Sequence, residues 1–423
     1  MKKKIKLEPA KRLTIKITRL GRHGDGVAVT ELGQVFIPFA LPGEQIEAEV
    51  RGNRGKLMRV VHPVPERSRP PCQEFGICGG CSVQQLKNPD YHNWKRGTLV
   101  EALTNQNLIA PVDSILDAHG EGRRRVTLHA RPEGKTLNVG FMRRRTWKLH
   151  PISHCMLLTK TLSDAPAIAK RIVKPLGFPK KGGFEIGLTE TEAGIDADIK
   201  CKKPVNMPLL SSLAYVAEKD DLARLTLNGE IVVERRRPVL TMGVAEVSPV
   251  AGGFLQATQA GEEALSSVIR RALPKKVKVL DLFSGIGPFA LRLAMDHQVH
   301  ASDSNGAALQ ALDRAWRNAK GLKPITTETR DLFDNPYLTT DFNGYGCVLF
   351  NPPRSGAKAQ VQEIARSAAP LVIAVSCNPV TFARDAAILV AGGYKLDRVT
   401  PIDQFRYSAH VEIIGVFRRV SCK

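Results

Sequence analysis

Short apolar runs alternate with helical patterns in the carboxy-terminal part of the chain. The runs lie at residues 277–280, 299–302, 347–350 and 371–375. Helical periodicity follows the first run, from Pro288 to Met295, and the last run, from Thr381 onward. Short buried strands that alternate with helices are typical of a parallel sheet covered on both faces. The pattern therefore predicts a Rossmann-like α/β domain over residues 251–423.

The first 65 residues have a different pattern, in which short alternating runs are separated by glycine-rich turns. The predicted strands lie at residues 13–17, 27–29, 35–37, 45–50 and 57–61. Five short strands of this kind are typical of an OB-like β-barrel, a fold that binds single-stranded nucleic acid by charge and stacking. The turns carry Arg22, Arg51, Arg54 and Lys56, which favour a nucleic-acid ligand.

The middle region, residues 66–250, begins with a cluster of cysteines. Cys72, Cys78 and Cys81 have the spacing C-x5-C-x2-C. In a chain predicted to be cytoplasmic, clustered cysteines indicate metal binding or redox chemistry more often than disulfide bonds. Three thiolates need a fourth ligand, and Cys155 is the best candidate. Four thiolates suit an iron–sulfur cluster or tetrahedral zinc, although zinc sites usually combine two C-x2-C pairs.

The chain is strongly basic, with a net charge of +21 and a pI near 9.8. This surplus favours a nucleic-acid partner. Basic runs at 123–125 and 143–145, with 180–181 and 235–237, predict a phosphate-binding surface on a central α+β domain. No apolar run could cross a bilayer, and no signal core follows Met1. We therefore predict a cytoplasmic protein with no membrane partner and no evident obligate protein partner.

Two sequence motifs predict chemistry in the carboxy-terminal domain. The loop D-L-F-S-G-I-G after the first strand fits an S-adenosylmethionine site better than a dinucleotide site, because it lacks a third phosphate-binding glycine. Asp303 ends the second strand, where an acid can hold ribose hydroxyls, and Asp331 follows the next. Cys377 lies in a Ser-Cys-Asn-Pro turn at the carboxyl end of a strand, where a thiolate can act as a nucleophile.

These motifs, with Asn351-Pro352-Pro353-Arg354-Ser355-Gly356 and His410-Val411-Glu412, resemble those of the RNA 5-methyluridine methyltransferases. The resemblance extends over nearly the whole chain and is to the iron–sulfur-containing 23S rRNA branch. The first 65 residues resemble a TRAM domain, a small RNA-binding barrel. The resemblance implies S-adenosyl-L-methionine as methyl donor, a 4Fe-4S cluster, and RNA as substrate.

The resemblance also implies roles for individual residues. Cys377 would be the nucleophile and Glu412 the general base. The cluster ligands would be Cys72, Cys78, Cys81 and Cys155, and the donor-binding residues Gln256, Phe283, Pro288, Asp303, Asp331 and Asn351. The chain departs from the family at four positions: Asn351 replaces the usual aspartate, Pro288 and Thr258 replace asparagine, and Arg406 replaces proline.

The predicted reaction transfers a methyl group to carbon 5 of a uridine, with 23S rRNA as the favoured substrate. Carbon 5 of uracil is a weak nucleophile, so a thiolate must first add at carbon 6, and a base must later remove the carbon 5 hydrogen. Three alternatives remain open: uridine methylation in tRNA, methylation of an exocyclic amine, which Asn351-Pro352-Pro353 also resembles, and a non-catalytic RNA-binding factor.

Overall fold

The structure is a computed structural model that describes residues 9–420 except 32, 180–181 and 203. The basic pair Lys180-Lys181 therefore lies outside the described residues. The chain divides into two compact units. One contains residues 1–98, 142–148 and 405–410, and the other contains residues 99–141, 149–404 and 411–423. The predicted domain ranges, 1–65, 66–250 and 251–423, remain a prediction.

The first unit contains one six-stranded sheet. Its strands are β1 Lys11–Lys16, β2 Arg19–Leu20, β3 Asp25–Thr30, β4 Gly33–Pro38, β5 Gln45–Arg51 and β6 Arg54–His62, in the order β1-β5-β6-β4-β3-β2. Alternating residues such as Val35 and Ile37 of β4, and Ile46 and Ala48 of β5, face its core. The strands therefore follow the predicted apolar pattern, while the TRAM-type barrel remains a prediction. Helix α1, Asn88–Thr104, comes next in the chain.

A second sheet, of seven strands, lies in the second unit. After β7, Leu116–Asp117, its strands are β8 Arg125–Glu133, β9 Thr136–Met142, β10 Leu149–Pro151, β11 Phe184–Thr191, β12 Gly194–Lys200, β13 Arg224–Leu227 and β14 Glu230–Glu234. Their order is β10-β9-β8-β11-β12-β13-β14. Helices α2, Ala165–Val173, and α3, Met207–Lys219, pack on it, and a hairpin of β15, Leu240–Met242, and β16, Ala245–Val247, follows.

The arginine runs predicted to bind phosphate make internal contacts. Arg124 is buried, donates to the backbone carbonyl of Gln256 and pairs with Glu262, so the prediction is wrong for this residue. Within the first unit, Arg144 and Arg145 both pair with Asp25. Arg235 and Arg236 pair with Asp221. Because the guanidinium groups have protein carboxylates as partners, these runs contribute less free positive charge than their sequence indicates.

The eight-stranded sheet of the second unit carries the predicted α/β pattern. Its strands are β17 Lys278–Leu282, β18 Gln298–Asp303, β19 Ile325–Thr329, β20 Cys347–Phe350, β21 Leu371–Ser376, β22 Tyr394–Asp403 and β23 Glu412–Arg419, together with β7. The order is β19-β18-β17-β20-β21-β23-β22-β7. The five strands from β19 to β21 are parallel, and β23 is antiparallel to β21.

Helices cover both faces of this sheet. They are α4 Gln259–Ala272, α5 Ala290–Leu293, α6 Gly306–Asn318, α7 Lys358–Arg366 and α8 Pro379–Ala391, with a 3₁₀ helix at Thr339–Phe342. Val279 belongs to the core on one face and Leu280 to the core on the other, which explains the continuous apolar runs. The helix predicted from Pro288 to Met295 is shorter than expected, because residues 288–289 remain in a turn. No helix in the described part of the chain has the length and apolar character needed to span a membrane.

Candidate active site

Cys377 and Glu412 meet at the carboxyl end of β21. β21 and its neighbour β23 are antiparallel, and Ser376 of β21 pairs with Ile413 of β23. Continuing this register by one residue sets Cys377 opposite Glu412. Residues opposite each other on antiparallel strands have Cα atoms about 4.5–5.5 Å apart. The thiol and the carboxyl, 35 positions apart in the chain, therefore share one end of the sheet.

Arg354 is the third polar side chain of this site, beside Cys377 and Glu412. Its side chain hydrogen-bonds to the Cys377 thiol. The loop that carries Arg354 is tied to the start of α8: Asn378 Nδ2 and Thr381 Oγ1 donate to the Arg354 carbonyl at 3.1 and 3.2 Å. The Asn-Pro-Pro-Arg loop and the Ser-Cys-Asn-Pro turn therefore hold each other in position.

A chain of buried amides orients Glu412. The Gln404 side chain hydrogen-bonds to the Glu412 carboxylate, and its Nε2 donates to Gln256 Oε1 at 2.6 Å. All three residues are buried. Gln404 Oε1 accepts from the backbone N–H of Thr258, whose hydroxyl caps α4. Thr258 thus has a structural role at a position where the family usually has asparagine.

Burial alters the acidity of both candidate catalytic groups. Desolvation raises the pKa of Glu412 to about 7, while Gln404 and Arg354 oppose this shift by stabilising the carboxylate. Desolvation also raises the pKa of Cys377, and the neighbouring Glu412 charge raises it further. Arg354 lowers it. The Arg354 guanidinium thus favours the ionised form of both groups, the Cys377 thiolate and the Glu412 carboxylate.

The loop after β17 has the backbone form of a ligand cradle. Phe283 has a φ of 60°, which is unusual for a residue with a side chain, and Gly285 and Gly287 have φ of 55° and 81°. A Cβ at Gly287 would lie 2.1 Å from Leu312 Cδ1, so only glycine fits against α6. A Cβ at Gly285 would meet nothing within 4 Å, so the backbone faces open space there. β17 lies between β18 and β20. The order of successive strands along the sheet reverses at this point, and open α/β sheets bind their ligands at such a point.

Polar and aromatic groups surround this loop. Asp303 accepts hydrogen bonds from the backbone N–H groups of Gly285 and Asn305, at 2.9 and 2.8 Å. A carboxylate has about four acceptor positions, so Asp303 keeps capacity for ribose hydroxyls. Phe283 and Phe333 have ring centroids 5.6 Å apart, and Phe333 is exposed. Asp331, two residues before Phe333, is exposed beside them. These groups fit a nucleoside.

Two further predicted donor-binding residues occupy the same edge. Asn351 directly follows β20, and its side-chain amide makes no hydrogen bond to another described residue. Its donor and acceptor are therefore available to a ligand. Pro288 is half-buried at the end of the glycine loop, and its carbonyl accepts from Arg292 Nη1 at 2.9 Å.

Asp281, at the base of the glycine loop, is a buried carboxyl. Neither of its oxygens has a hydrogen-bond partner among the described residues by distance and angle. The nearby backbone N–H of Ala290 favours the ionised form and lowers the pKa, but it does not outweigh burial. Desolvation, with the nearby Asp303 charge, raises the pKa of Asp281 to about 8. The residue is therefore protonated in the folded protein at neutral pH.

We expect this carboxyl to make stability fall as pH rises from about 4 to 8. The unfolded chain loses the Asp281 proton near its usual pKa of 3.8, while the folded protein keeps it to about 8. The folded state therefore holds one more proton in this window, and the free energy of unfolding falls by up to about 1.4 kcal/mol per pH unit. Urea unfolding of Asp281→Asn should show a flatter pH dependence than the parent. Parallel curves for the two proteins would contradict this.

The predicted cysteine ligands do not form a described metal site. Cys72, Cys78 and Cys81 are half-buried in the first unit, and Cys155 belongs to the second. The Gly80 N–H donates to Cys78 Sγ at 3.4 Å. Over residues 9–420, apart from the gaps given above, no group of three or more His, Cys, Asp or Glu side chains could hold a metal ion. The predicted 4Fe-4S cluster is therefore not supported by this structure.

Sequence reasoning missed Arg354, Gln404 and Phe333. Arg354 stood within the Asn-Pro-Pro-Arg motif, and that position was a usable signal. Gln404 had a weaker signal, because it lies in the Asp-Gln-Phe segment at the end of β22. Phe333 is one of several exposed aromatic residues and had no distinguishing pattern.

Comparison with known proteins identifies the family. A family model described as tRNA (Uracil-5-)-methyltransferase matches residues 326–420. An uncharacterized RNA methyltransferase of Rhizobium meliloti (strain 1021) is 39% identical over 412 residues, or 96% of this chain and 99% of that protein. The 23S rRNA (uracil(1939)-C(5))-methyltransferase RlmD of Pseudomonas savastanoi pv. phaseolicola (strain 1448A / Race 6) is 30% identical over 447 residues, or 98% and 96%.

A solved structure has the same fold. The Pyrococcus abyssi tRNA (uracil-54, C5)-methyltransferase, in complex with S-adenosyl-L-homocysteine, matches with a TM-score of 0.73 and 21% identity over 96% of this chain and 100% of that chain. The predicted mixed α/β fold and the predicted class of enzyme, a SAM-dependent RNA uracil-C5 methyltransferase, are confirmed. This chain belongs to the family of RNA (uracil-5-)-methyltransferases.

Proposed function

We propose that this enzyme methylates carbon 5 of a uridine in 23S rRNA through a covalent adduct between Cys377 and carbon 6. The observation that supports this most directly is the pairing of Cys377 with the buried Glu412 across β21 and β23. An enzyme that methylates an exocyclic amine has no need of a thiol beside a carboxylate. Full-length similarity to a 23S rRNA methyltransferase favours rRNA over tRNA.

In the proposed reaction, the Cys377 thiolate adds to carbon 6 of a uracil that has left the base stack. Arg354 stabilises the thiolate, and the added electron pair makes carbon 5 nucleophilic. Bound S-adenosylmethionine would supply an electrophilic methyl group. Carbon 5 forms its bond to this methyl as the methyl–sulfur bond breaks, and the electron pair of that bond stays on the sulfur of the departing S-adenosylhomocysteine. The Glu412 carboxylate then removes the hydrogen of carbon 5. The electron pair of the broken carbon 5–hydrogen bond restores the carbon 5–carbon 6 double bond, and the Cys377 thiolate leaves carbon 6.

The methyl donor and the target uracil would be held at the same edge of the sheet. Asp303 and Asp331 offer acceptors for the donor's ribose and adenine, and Phe283 with Phe333 offers aromatic surface. Asn351 offers an acceptor for uracil N3–H and a donor for O4, which an aspartate could match only in part. Uracil recognition is therefore compatible with the unusual asparagine.

The target can be tested with transcripts that carry no modifications. The enzyme is incubated with labelled S-adenosylmethionine and either 23S rRNA or total tRNA, and the methylated nucleotide is mapped by mass spectrometry. We expect 5-methyluridine in 23S rRNA. Methyl groups found only in tRNA, or on an exocyclic amine, would overturn the proposal.

We expect Arg354→Ala to slow single-turnover methylation by about 10- to 100-fold at pH 7, the range for loss of a charged hydrogen bond. Without the guanidinium, the pKa values of Cys377 and Glu412 rise, so the acid limb of the rate profile should move to higher pH. Arg354→Lys should recover part of the rate. The control is Arg366→Ala, which removes an exposed arginine paired with Glu363. An unchanged pH profile in Arg354→Ala would contradict the role.

No step of this reaction depends on the cysteine cluster. The 4Fe-4S assignment of Cys72, Cys78, Cys81 and Cys155 remains a prediction from the sequence motif, and iron analysis of anaerobically purified protein can check it.

A further inference from the structure

We propose that a basic groove at the edge of the eight-stranded sheet opposite Cys377 binds phosphates of the substrate RNA. This groove, the amino-edge groove, has a volume of about 1290 Å³ and lies where β17 and β18 begin. Arg271 at the end of α4, Lys275 and Lys276 in the following turn, Lys278 of β17 and Lys323 line it. The inference rests on RNA being the substrate and adds a second contact surface for it.

Unneutralised charge distinguishes the groove. Seven lysines and arginines line it, against the two carboxylates of Glu263 and Asp296. Arg270 pairs with Asp296 at 3.0 Å, and Arg292 pairs with Glu262. The other five basic side chains of the groove make no ion pair with a described residue: Arg271, Lys275, Lys276, Lys278 and Lys323. The arginine runs of the middle region differ, because most of their arginines have carboxylate partners, namely Arg124, Arg144, Arg145, Arg235 and Arg236.

Helix stability does not account for these charges. Cations in the last turn of a helix stabilise its dipole, which explains Arg270 and Arg271 at the end of α4. The three lysines at 275, 276 and 323 lie outside helices and are exposed. Clustered lysines that repel one another are stabilised by a polyanion, and RNA is the polyanion that this enzyme must bind.

His297 is a buried histidine in the wall of the groove. It lines the groove, is 6% exposed, and its Nδ1 has no hydrogen-bond partner among the described residues. A buried ring nitrogen without a partner costs free energy, and polar groups of this kind are usually satisfied. Nδ1 itself is enclosed by the protein, so a ligand would reach it only if the wall of the groove moved.

The groove favours a large folded substrate. β17 has five residues and β21 has six, so the two edges of the sheet are about 16–20 Å apart at 3.3 Å per residue. An RNA that holds a uridine at Cys377 and phosphates at Lys275 must extend around the sheet. A domain of rRNA has this width, whereas a short single strand at the active site leaves the groove empty.

The test compares a long and a short RNA. We expect Lys275→Ala/Lys276→Ala/Lys323→Ala to raise the Kd for an unmodified 23S rRNA transcript by about tenfold. The slope of log K against log salt should fall by about 2–3, close to one for each lost phosphate contact. The Kd for a uridine tetranucleotide, which is too short to reach from Cys377 around the sheet to the groove, should not change. A control triple variant, Lys160→Ala/Arg314→Ala/Lys358→Ala, removes the same charge from exposed positions without ion pairs.

Two results would overturn the inference: wild-type affinity and salt slope for the transcript, or an equal loss of affinity for the tetranucleotide and the transcript. Both are binding measurements. They are therefore separate from the mapping of the methylated nucleotide, which tests the proposed function itself.

Discussion

Cys377→Ala is expected to lower the single-turnover rate of RNA methylation by more than about 10⁴-fold, the scale seen when a covalent nucleophile is removed. The physical reason is that carbon 5 of uracil cannot attack a methyl group unless carbon 6 carries an added nucleophile. The rate is measured with labelled S-adenosylmethionine, an unmodified 23S rRNA transcript and excess enzyme.

Binding measurements show whether this variant is otherwise intact. The variant should bind S-adenosylmethionine and RNA as the parent does, because the proposed donor-binding residues lie on the neighbouring strands and loops. Cys201→Ala, a buried cysteine among the residues of the seven-stranded sheet, is the thiol control and should keep the parent rate. Retained turnover in Cys377→Ala would instead support methylation of an exocyclic amine.

Glu412→Gln is expected to accumulate a covalent enzyme–RNA adduct and to slow product release by about 10²- to 10⁴-fold, the usual contribution of a general base. Glutamine keeps the size of the side chain and can still hydrogen-bond to Gln404, so addition and methyl transfer proceed. Removal of the carbon 5 hydrogen fails, and the methylated uridine stays attached to Cys377. A band that survives denaturing electrophoresis and contains both labelled methyl and RNA is the expected observation.

The double variant Cys377→Ala/Glu412→Gln provides the control, because it lacks the sulfur that forms the adduct. In the parent enzyme, release should become faster as pH rises through about 7, since the pKa of Glu412 is about 7 and only the carboxylate accepts a proton. Normal turnover of Glu412→Gln without an adduct would show that another group is the base.

The apolar pattern predicted four strands of the eight-stranded sheet, β17, β18, β20 and β21. The run at 347–350 is β20, and the run at 371–375 lies within β21. Both strands are buried on two faces, so their sequences record burial directly. The helix from Pro288 was predicted too long, because periodicity does not register the left-handed backbone at Gly287 that precedes it.

Charge was harder to interpret from sequence. Arg124 and Arg144 both lie in arginine triplets, and both are paired with carboxylates, Glu262 and Asp25, more than a hundred positions away. A local run of like charges contains no information about such distant partners. Three lysines of the amino-edge groove lie within residues 275–278, but Lys323 comes from a distant segment, so the sequence did not show that they share one groove.

The order of residues alone identified a cysteine at a strand end, a glutamate before a final strand and a glycine loop, because each motif is local. Long-range pairing of β21 with β23 set the thiol opposite the carboxylate. Packing then added Arg354 to the thiol and Gln404 to the carboxylate, and burial raised the pKa of both groups. Side-chain acidity depends on solvent exclusion and on neighbours brought together from distant segments, and those exist only once the chain has folded.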